Sequence, residues 1–465
     1  MSTTKEIKWT MFVVTAIGNF IAMLDSTTVN LALYPMSKDL GVTLSQIQWV
    51  MVGYMLTLTI FLPFFGKLGD IFPKNKLYST GFTIFAIGAF CSFISDSYIT
   101  LILARCFEAL GASIMLSNAQ AIIATIFKNA RRGKALGLNG CLVAIGGMLG
   151  PAVGGILINH FNWHAVFVPC IPVALAGAYY SWRILPSHTK QIKCFKFDYK
   201  GFIYFTISLL ALLLAISEGY QWGWASFKII ALGVITLIFG SLFYIRDHRI
   251  NYPLINFSIF HIKPFTFGNL AVMCSYMAMF TNSILLPFYL MEILKLDAFT
   301  SGLLILPYSV TLSFTAPISG SMAGKYGSRY LTLAGPLVYI TALIIFTSFD
   351  KSTQLWQIVI ASGIMGIGNG LFQSPSNNAI MTSVQKKDLG IASGILALSR
   401  NMGNILGVAV TITLFEELRE FFLSHSQVYE TAFLNAYHTT MCFGILFGIA
   451  CFTFAYIAYK PVKKY

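Results

Sequence analysis

Runs of about 20 apolar residues recur along the whole 465-residue chain, and this recurrence limits its fold more than any other feature. As a helix, each run rises 1.5 Å per residue and is long enough to cross a hydrocarbon layer of roughly 30 Å. The runs predict fourteen transmembrane helices, near 10–35, 45–66, 77–95, 99–125, 134–158, 164–184, 200–217, 226–246, 264–291, 300–322, 330–349, 355–381, 389–415 and 432–459. Composition agrees: 56% of residues are hydrophobic and 10% charged, against roughly 25% charged in a soluble domain. The first run starts near Trp9, continues past Ala32 and carries Asp25. It therefore reads as a retained span and not as a cleaved signal peptide.

Charge placement excludes some functions and orients the chain. The formal net charge is +14, but the basic residues sit in short connections between spans, where the anionic inner leaflet is their partner, and no basic face suits nucleic acid. The termini and the connections after even-numbered spans hold 24 of the 31 Lys and Arg, including Lys74, Lys76, Arg131, Arg132, Lys190, Lys193 and Lys196. The opposite connections hold only Lys38, Lys228, Lys295, Lys351 and Arg419, and Arg105 and Arg400 lie within spans. This asymmetry places both termini in the cytoplasm. Glu416, Glu417, Glu420 and Glu430 read as a solvated outer loop, and spans 9 to 12 show no acid. The eight Cys lack CxxC spacing, which argues against a disulfide framework or a zinc site.

The chain repeats itself. At a spacing of 257 residues, Gly111 pairs with Gly368, Ser117 with Ser374, Gly133 with Gly390, Gly137 with Gly394, Gly146 with Gly403, and Gly150 with Gly407. Spans 1 to 6 and 9 to 14 thus form two copies of a six-helix unit, with spans 7 and 8 inserted between them. Each copy has an even number of spans, so both share one orientation, and alternating access is the mechanism this architecture suggests.

Several motifs carry chemistry. Asp25 lies well inside the first span, in Leu24-Asp25-Ser26-Thr27-Thr28-Val29-Asn30-Leu31-Ala32-Leu33. An acid at such depth costs at least about 2.5 kcal/mol and should face a cavity or a partner. Desolvation favours its protonated form, which makes it the first candidate for a coupling proton site; the alternative is a structural acid paired with a base. In span 4, Arg105 comes near the level of Asp25, and Glu108 shares its helix face. Glu108 either satisfies Arg105 as a structural partner or supplies a second titratable site for a cationic substrate. In span 5, Gly146, Gly150 and Gly154 recur every four residues and permit close approach of another backbone, while Pro151 removes a helix donor. After span 2 comes Gly66-Lys67-Leu68-Gly69-Asp70-Ile71-Phe72-Pro73-Lys74-Asn75-Lys76.

In these motifs the chain resembles the major facilitator superfamily, and most closely its fourteen-helix drug:proton antiporter branch. The resemblance implies an all-α integral membrane protein with the major facilitator fold, two parallel six-helix bundles plus two inserted helices. The expected division is 1–184, 185–263 and 264–465. It implies that Asp25 and Arg105 take part in proton coupling, to which Glu108, standing where the family commonly has Gln, is added. Gly146, Gly150, Pro151, Gly154 and Gly155 match the antiporter motif, which favours export. Gly66, Asp70 and Lys74 match the cytoplasmic gate, although Pro73 occupies a usual Gly position. Arg400 also fits the branch, without a nameable partner.

The expectation is a proton-coupled exporter of amphipathic compounds in the plasma membrane, with Asp25, Asn30, Glu108 and Met115 as substrate contacts. The runner-up is a dedicated exporter of one metabolite, lipid precursor or signalling molecule. No cofactor, metal or nucleic acid is expected; protons and membrane lipids are the partners, the proton gradient is the energy source, and the chain is expected to be a monomer. A membrane enzyme is disfavoured, because there is no GxSxG, no HExxH and only seven scattered His.

Overall fold

A computed structural model describes residues 2–69, 72–127, 130–185, 198–250, 257–385, 389–425 and 428–459. Among the described residues the secondary structure is helical. The first six α-helices are α1 (Ser2–Asp39), α2 (Leu44–Leu68), α3 (Lys74–Phe93), α4 (Tyr98–Ile126), α5 (Ala130–His160) and α6 (Cys170–Ile184), the last preceded by a 3-10 turn at Trp163–Phe167. Then come α7 (Tyr199–Trp222) and α8 (Phe227–Arg249), followed by α9 (Lys263–Phe288), α10 (Ala298–Tyr326), α11 (Arg329–Phe346), α12 (Leu355–Thr382), α13 (Leu389–Ser424) and α14 (Tyr429–Ala458). Thirteen of the helical segments are long and apolar enough to cross a membrane. The fourteenth, α3, has 20 residues and opens with Lys74, Asn75 and Lys76.

Two expectations about helix ends change. Glu416, Glu417 and Glu420 are not in a loop, because α13 runs on to Ser424, and Glu430 lies in the first turn of α14. Leu414, Phe415, Leu418, Phe421 and Phe422 continue an apolar stripe at helical spacing, and Glu, Leu and Arg favour helix, so the charges do not end it. Glu416 is buried, with Arg419 3.9 Å away. The ninth helical segment also extends, through a π-helical turn at Tyr289–Ile293. This turn carries a buried acid that the span limits had excluded, Glu292, which accepts a 2.7 Å hydrogen bond from the Tyr429 hydroxyl.

The chain divides into two compact units, residues 1–196 with 297–303, and 197–296 with 304–465. The inserted helices α7 and α8 belong to the second unit. There the Thr413 hydroxyl donates to the Ile216 carbonyl at 3.1 Å, tying α13 to α7. The hairpin itself is fastened at one end by Asp198, whose Oδ1 accepts from the Gly201 amide and from Arg246 Nε at 2.7 Å.

Three of the glycine pairs, Gly111 with Gly368, Gly146 with Gly403 and Gly150 with Gly407, make room for a neighbouring helix in each unit. In the first, a Cβ on Gly111 would lie 2.6 Å from the Gly81 carbonyl; in the second, one on Gly368 would lie 2.9 Å from the Gly335 carbonyl. Gly146 leaves room for the Phe20 carbonyl of α1, and Gly403 for the Met273 carbonyl of α9. These positions let backbones meet without intervening side chains, which is how helices pack closely where lipid supplies no hydrophobic drive.

Candidate functional site

The first unit buries a charged cluster. Asp25 on α1 and Arg105 and Glu108 on α4 have side chains that are at most 1% exposed. Ser97 caps α4 by accepting from the Thr100 amide. One turn of that helix then sets Arg105 and Glu108 on a common face. A single guanidinium nitrogen, Nη1 of Arg105, donates to Asp25 Oδ2 at 2.8 Å and to Glu108 Oε2 at 2.7 Å. The two pairings that the sequence left open, Arg105 with Asp25 and Arg105 with Glu108, are therefore made at once.

Aromatic rings enclose the guanidinium. Its carbon lies 4.2 Å from the Tyr54 ring centroid and 5.6 Å from that of Phe167, distances at which a ring face attracts a cation. Cys170, at the start of α6, is buried as well. Helix α3 approaches because it offers no side chain at Gly88, where a Cβ would lie 2.5 Å from both Cα and Cβ of Glu108.

The charge count is the chemical point. With both carboxyls ionised the cluster carries one net negative charge with almost no exposed surface, and a buried charge without a counter-ion costs several kcal/mol. With one proton bound it is neutral. The unoccupied valences agree with such a site: among the described residues, Asp25 Oδ1, Glu108 Oε1, Arg105 Nε and the Tyr54 hydroxyl lack hydrogen-bond partners.

The other residues picked out from the sequence lie around this cluster. Gly146, Gly150 and Gly154 all face α1: Cβ atoms there would lie 2.7 Å from the Phe20 carbonyl, 2.7 Å from Thr27 Cβ and 2.9 Å from Thr28 Cγ2. Thr28 hydrogen-bonds its own helix at Leu24 and reaches the Gly150 carbonyl at 3.4 Å. The glycine face thus seats the stretch of α1 that carries Asp25. Pro151 lies inside a continuous α5, and Gly155 faces the Ala298 carbonyl within the first unit. Asn30 follows Asp25 by five residues, roughly 140° around the helix, and is half-buried away from that face. Met115 is fully buried, filling the space between Gly18 on α1 and Gly81 on α3.

At the end of α2, Gly66 faces Ser117, and Asn118 on α4 donates to the Phe65 carbonyl at 3.1 Å. Lys74 begins α3 after Pro73, whose φ of −54° fits a helix entry. Asp70 lies outside the described residues. Arg400 makes no ion pair among the described residues. Sequence reasoning did not single out Tyr54, Phe167, Cys170, Gly88 or Asn118. Only Gly88 had a signal, in the small residues Gly81, Ala86, Gly88 and Ala89 of span 3.

Comparison with known proteins gives this architecture a family. The profile of the Major Facilitator Superfamily matches residues 15–260 and 269–464. The riboflavin transporter RibZ of Clostridioides difficile (strain 630) is 32% identical over 441 residues, 94% of this chain and 95% of its own length. The multidrug transporter MdtP of Bacillus subtilis (strain 168) is 28% identical over 396 residues, 85% of this chain and 73% of its own. Among solved structures, a bacterial homologue of the human lysosomal transporter Spinster superposes with a TM-score of 0.70 at 16% identity, covering 98% of this chain and 96% of that one. That likeness shows the fold. The chain is a member of the Major Facilitator Superfamily, a multi-pass membrane transporter with multidrug resistance proteins among its relatives.

Proposed function

We propose that this protein is a proton-coupled antiporter that exports amphipathic small molecules across the plasma membrane by alternating access, with both termini in the cytoplasm. The observation that carries the reading is the odd charge count of the buried cluster. One guanidinium serves two carboxyls, so the site changes between neutral and negative with a single proton. Asp25 carries the proton, Arg105 holds the two acids together, and Glu108 adds the second acidic group. The relatives described as multidrug transporters favour a broad substrate range, and the proton gradient supplies the energy. No bound cofactor takes part, and the protein works as a monomer among membrane lipids.

The test is transport in proteoliposomes over a chemically diverse panel, with and without a pH gradient. Asp25→Asn and Glu108→Gln are expected to insert normally and to abolish uphill export. Undiminished gradient-driven transport by both variants overturns the reading.

A second reading is supported by the 32% identity to a riboflavin transporter. In it the same machinery moves one metabolite of that kind. Transport of a single flavin-like compound, with no movement of unrelated dyes and biocides, selects this alternative.

A further inference from the structure

The charged cluster includes one polar atom to which the charge count gives no task. Tyr54, on α2, is 3% exposed, and its ring lies against the Arg105 guanidinium. That contact needs only a ring, and Phe167 supplies a second one to the same guanidinium from the 3-10 turn before α6. A phenylalanine at position 54 would pack as well and bury no hydroxyl. Yet among the described residues the Tyr54 hydroxyl is buried without a hydrogen-bond partner, as are Asp25 Oδ1, Glu108 Oε1 and Arg105 Nε of the same cluster. Buried polar atoms without partners are uncommon; four in one cluster, two of them able to donate and two able to accept, form a complementary set. Through that guanidinium Tyr54 adjoins Asp25 of α1 and Glu108 of α4, the two acids that Arg105 Nη1 holds, while Cys170 is the buried thiol of α6.

We propose that Tyr54 is a positioning residue of the proton site, its hydroxyl donating to the free carboxylate oxygen of the deprotonated cluster and accepting from the carboxylic acid of the protonated one. The inference rests on the proton-coupled reading given above. An ionised carboxylate only accepts hydrogen bonds, whereas its protonated form also donates, and a phenol can serve either as donor or as acceptor. The hydroxyl, unpartnered among the described residues, thus needs a small side-chain shift to reach the carboxyl and then reorients as the proton arrives, and no covalent bond to Tyr54 is made or broken. Its bond to the ionised form is the stronger of the two, because charge-assisted hydrogen bonds exceed neutral ones. Tyr54 thus biases the cluster towards releasing its proton and sets the pH at which the transporter discharges.

The experiment is Tyr54→Phe in the full chain, reconstituted beside wild type, Asp25→Asn and Glu108→Gln, with a panel substrate that the wild type transports. Gradient-driven export and substrate counterflow are followed over a series of pH values. Tyr54→Phe keeps the ring against Arg105, so the variant is expected to fold, with thermal stability lowered only by the loss of one hydrogen bond. Its maximal transport should persist, while the pH of half-maximal gradient-driven export moves upward by about one unit. An unshifted profile overturns the proposal, and so does a uniform loss of transport at every pH, which is what a purely structural role gives. If Asp25→Asn and Glu108→Gln retain gradient-driven export, the proton-coupled reading itself fails. If they lose it while Tyr54→Phe shows no shift, only the role of Tyr54 fails.

Discussion

The two units share their glycine contacts but not their charges. Gly111 and Gly368 bring the same pairs of helices together, as do Gly146 and Gly403. Carried along those helices in register, Asp25, Arg105 and Glu108 of the first unit correspond to Ala278, Ser362 and Met365 of the second, and all six are buried. Gly88, which makes room for Glu108, corresponds to Ala342. The small residues fix how close the helices come, and the side chains in the gap that remains are free to differ. At these positions the close helix contacts are held in common, whereas the charges belong to one unit.

The comparison makes its largest prediction at Arg105. Arg105→Leu leaves two buried carboxyls without a cation and should cost about 3–5 kcal/mol, seen as a collapse of thermal stability in detergent. Giving the first unit the second unit's residues, by combining Asp25→Ala, Arg105→Ser and Glu108→Met, should restore most of that stability while leaving no gradient-driven export. A triple variant that still pumps would break the contrast. Next comes the glycine face. Gly150→Leu places a side chain against Thr27 and Thr28 and should abolish transport at a cost of about 2–3 kcal/mol, as read by thermal melting and vesicle assays. Gly407→Leu, against Met277 Cα at 2.9 Å and Phe280 Cβ at 3.2 Å, should cost somewhat less, since its neighbours stand farther off.

A smaller effect is expected where the units differ. Gly88→Ala pushes a Cβ onto the Glu108 backbone and should cost about 1–2 kcal/mol and slow transport, whereas Ala342→Gly in the second unit should cost about 1 kcal/mol by helix propensity and leave coupling intact. Equal loss of coupling in both would show that helix spacing, and not the charged cluster, limits transport. The smallest effect belongs to Ser362→Ala, at the position corresponding to Arg105. Its hydroxyl is buried without a partner among the described residues, so removing it should change stability by no more than about 0.5 kcal/mol and leave the pH profile of transport in place.

Much of this was legible in the sequence because it rests on local pattern. The apolar runs located the helices, and the common glycine spacing located the repeat. Asp25, Arg105 and Glu108 stood out because a charge within an apolar span is costly wherever it packs. Where pattern misled, the cause was a charge read as an end. Glu416 and Glu292 fell at the limits of apolar runs, so both were placed outside helices, yet α13 and the π-helical turn carry them inward. Tyr54 and Phe167 gave no signal, since aromatic residues are common in every span and only contact with Arg105 distinguishes them.

The sequence by itself determined the helices, their repetition and the three charged residues, since helix formation and the cost of burying charge depend on residue type and spacing along one segment. Tertiary structure alone decided that one guanidinium nitrogen serves both acids, that Gly88 rather than a larger residue faces Glu108, and that the Tyr54 ring closes the cluster. These are relations between α1, α2, α3 and α4, and a distance between helices is set by the packing of whole faces, which no single segment encodes.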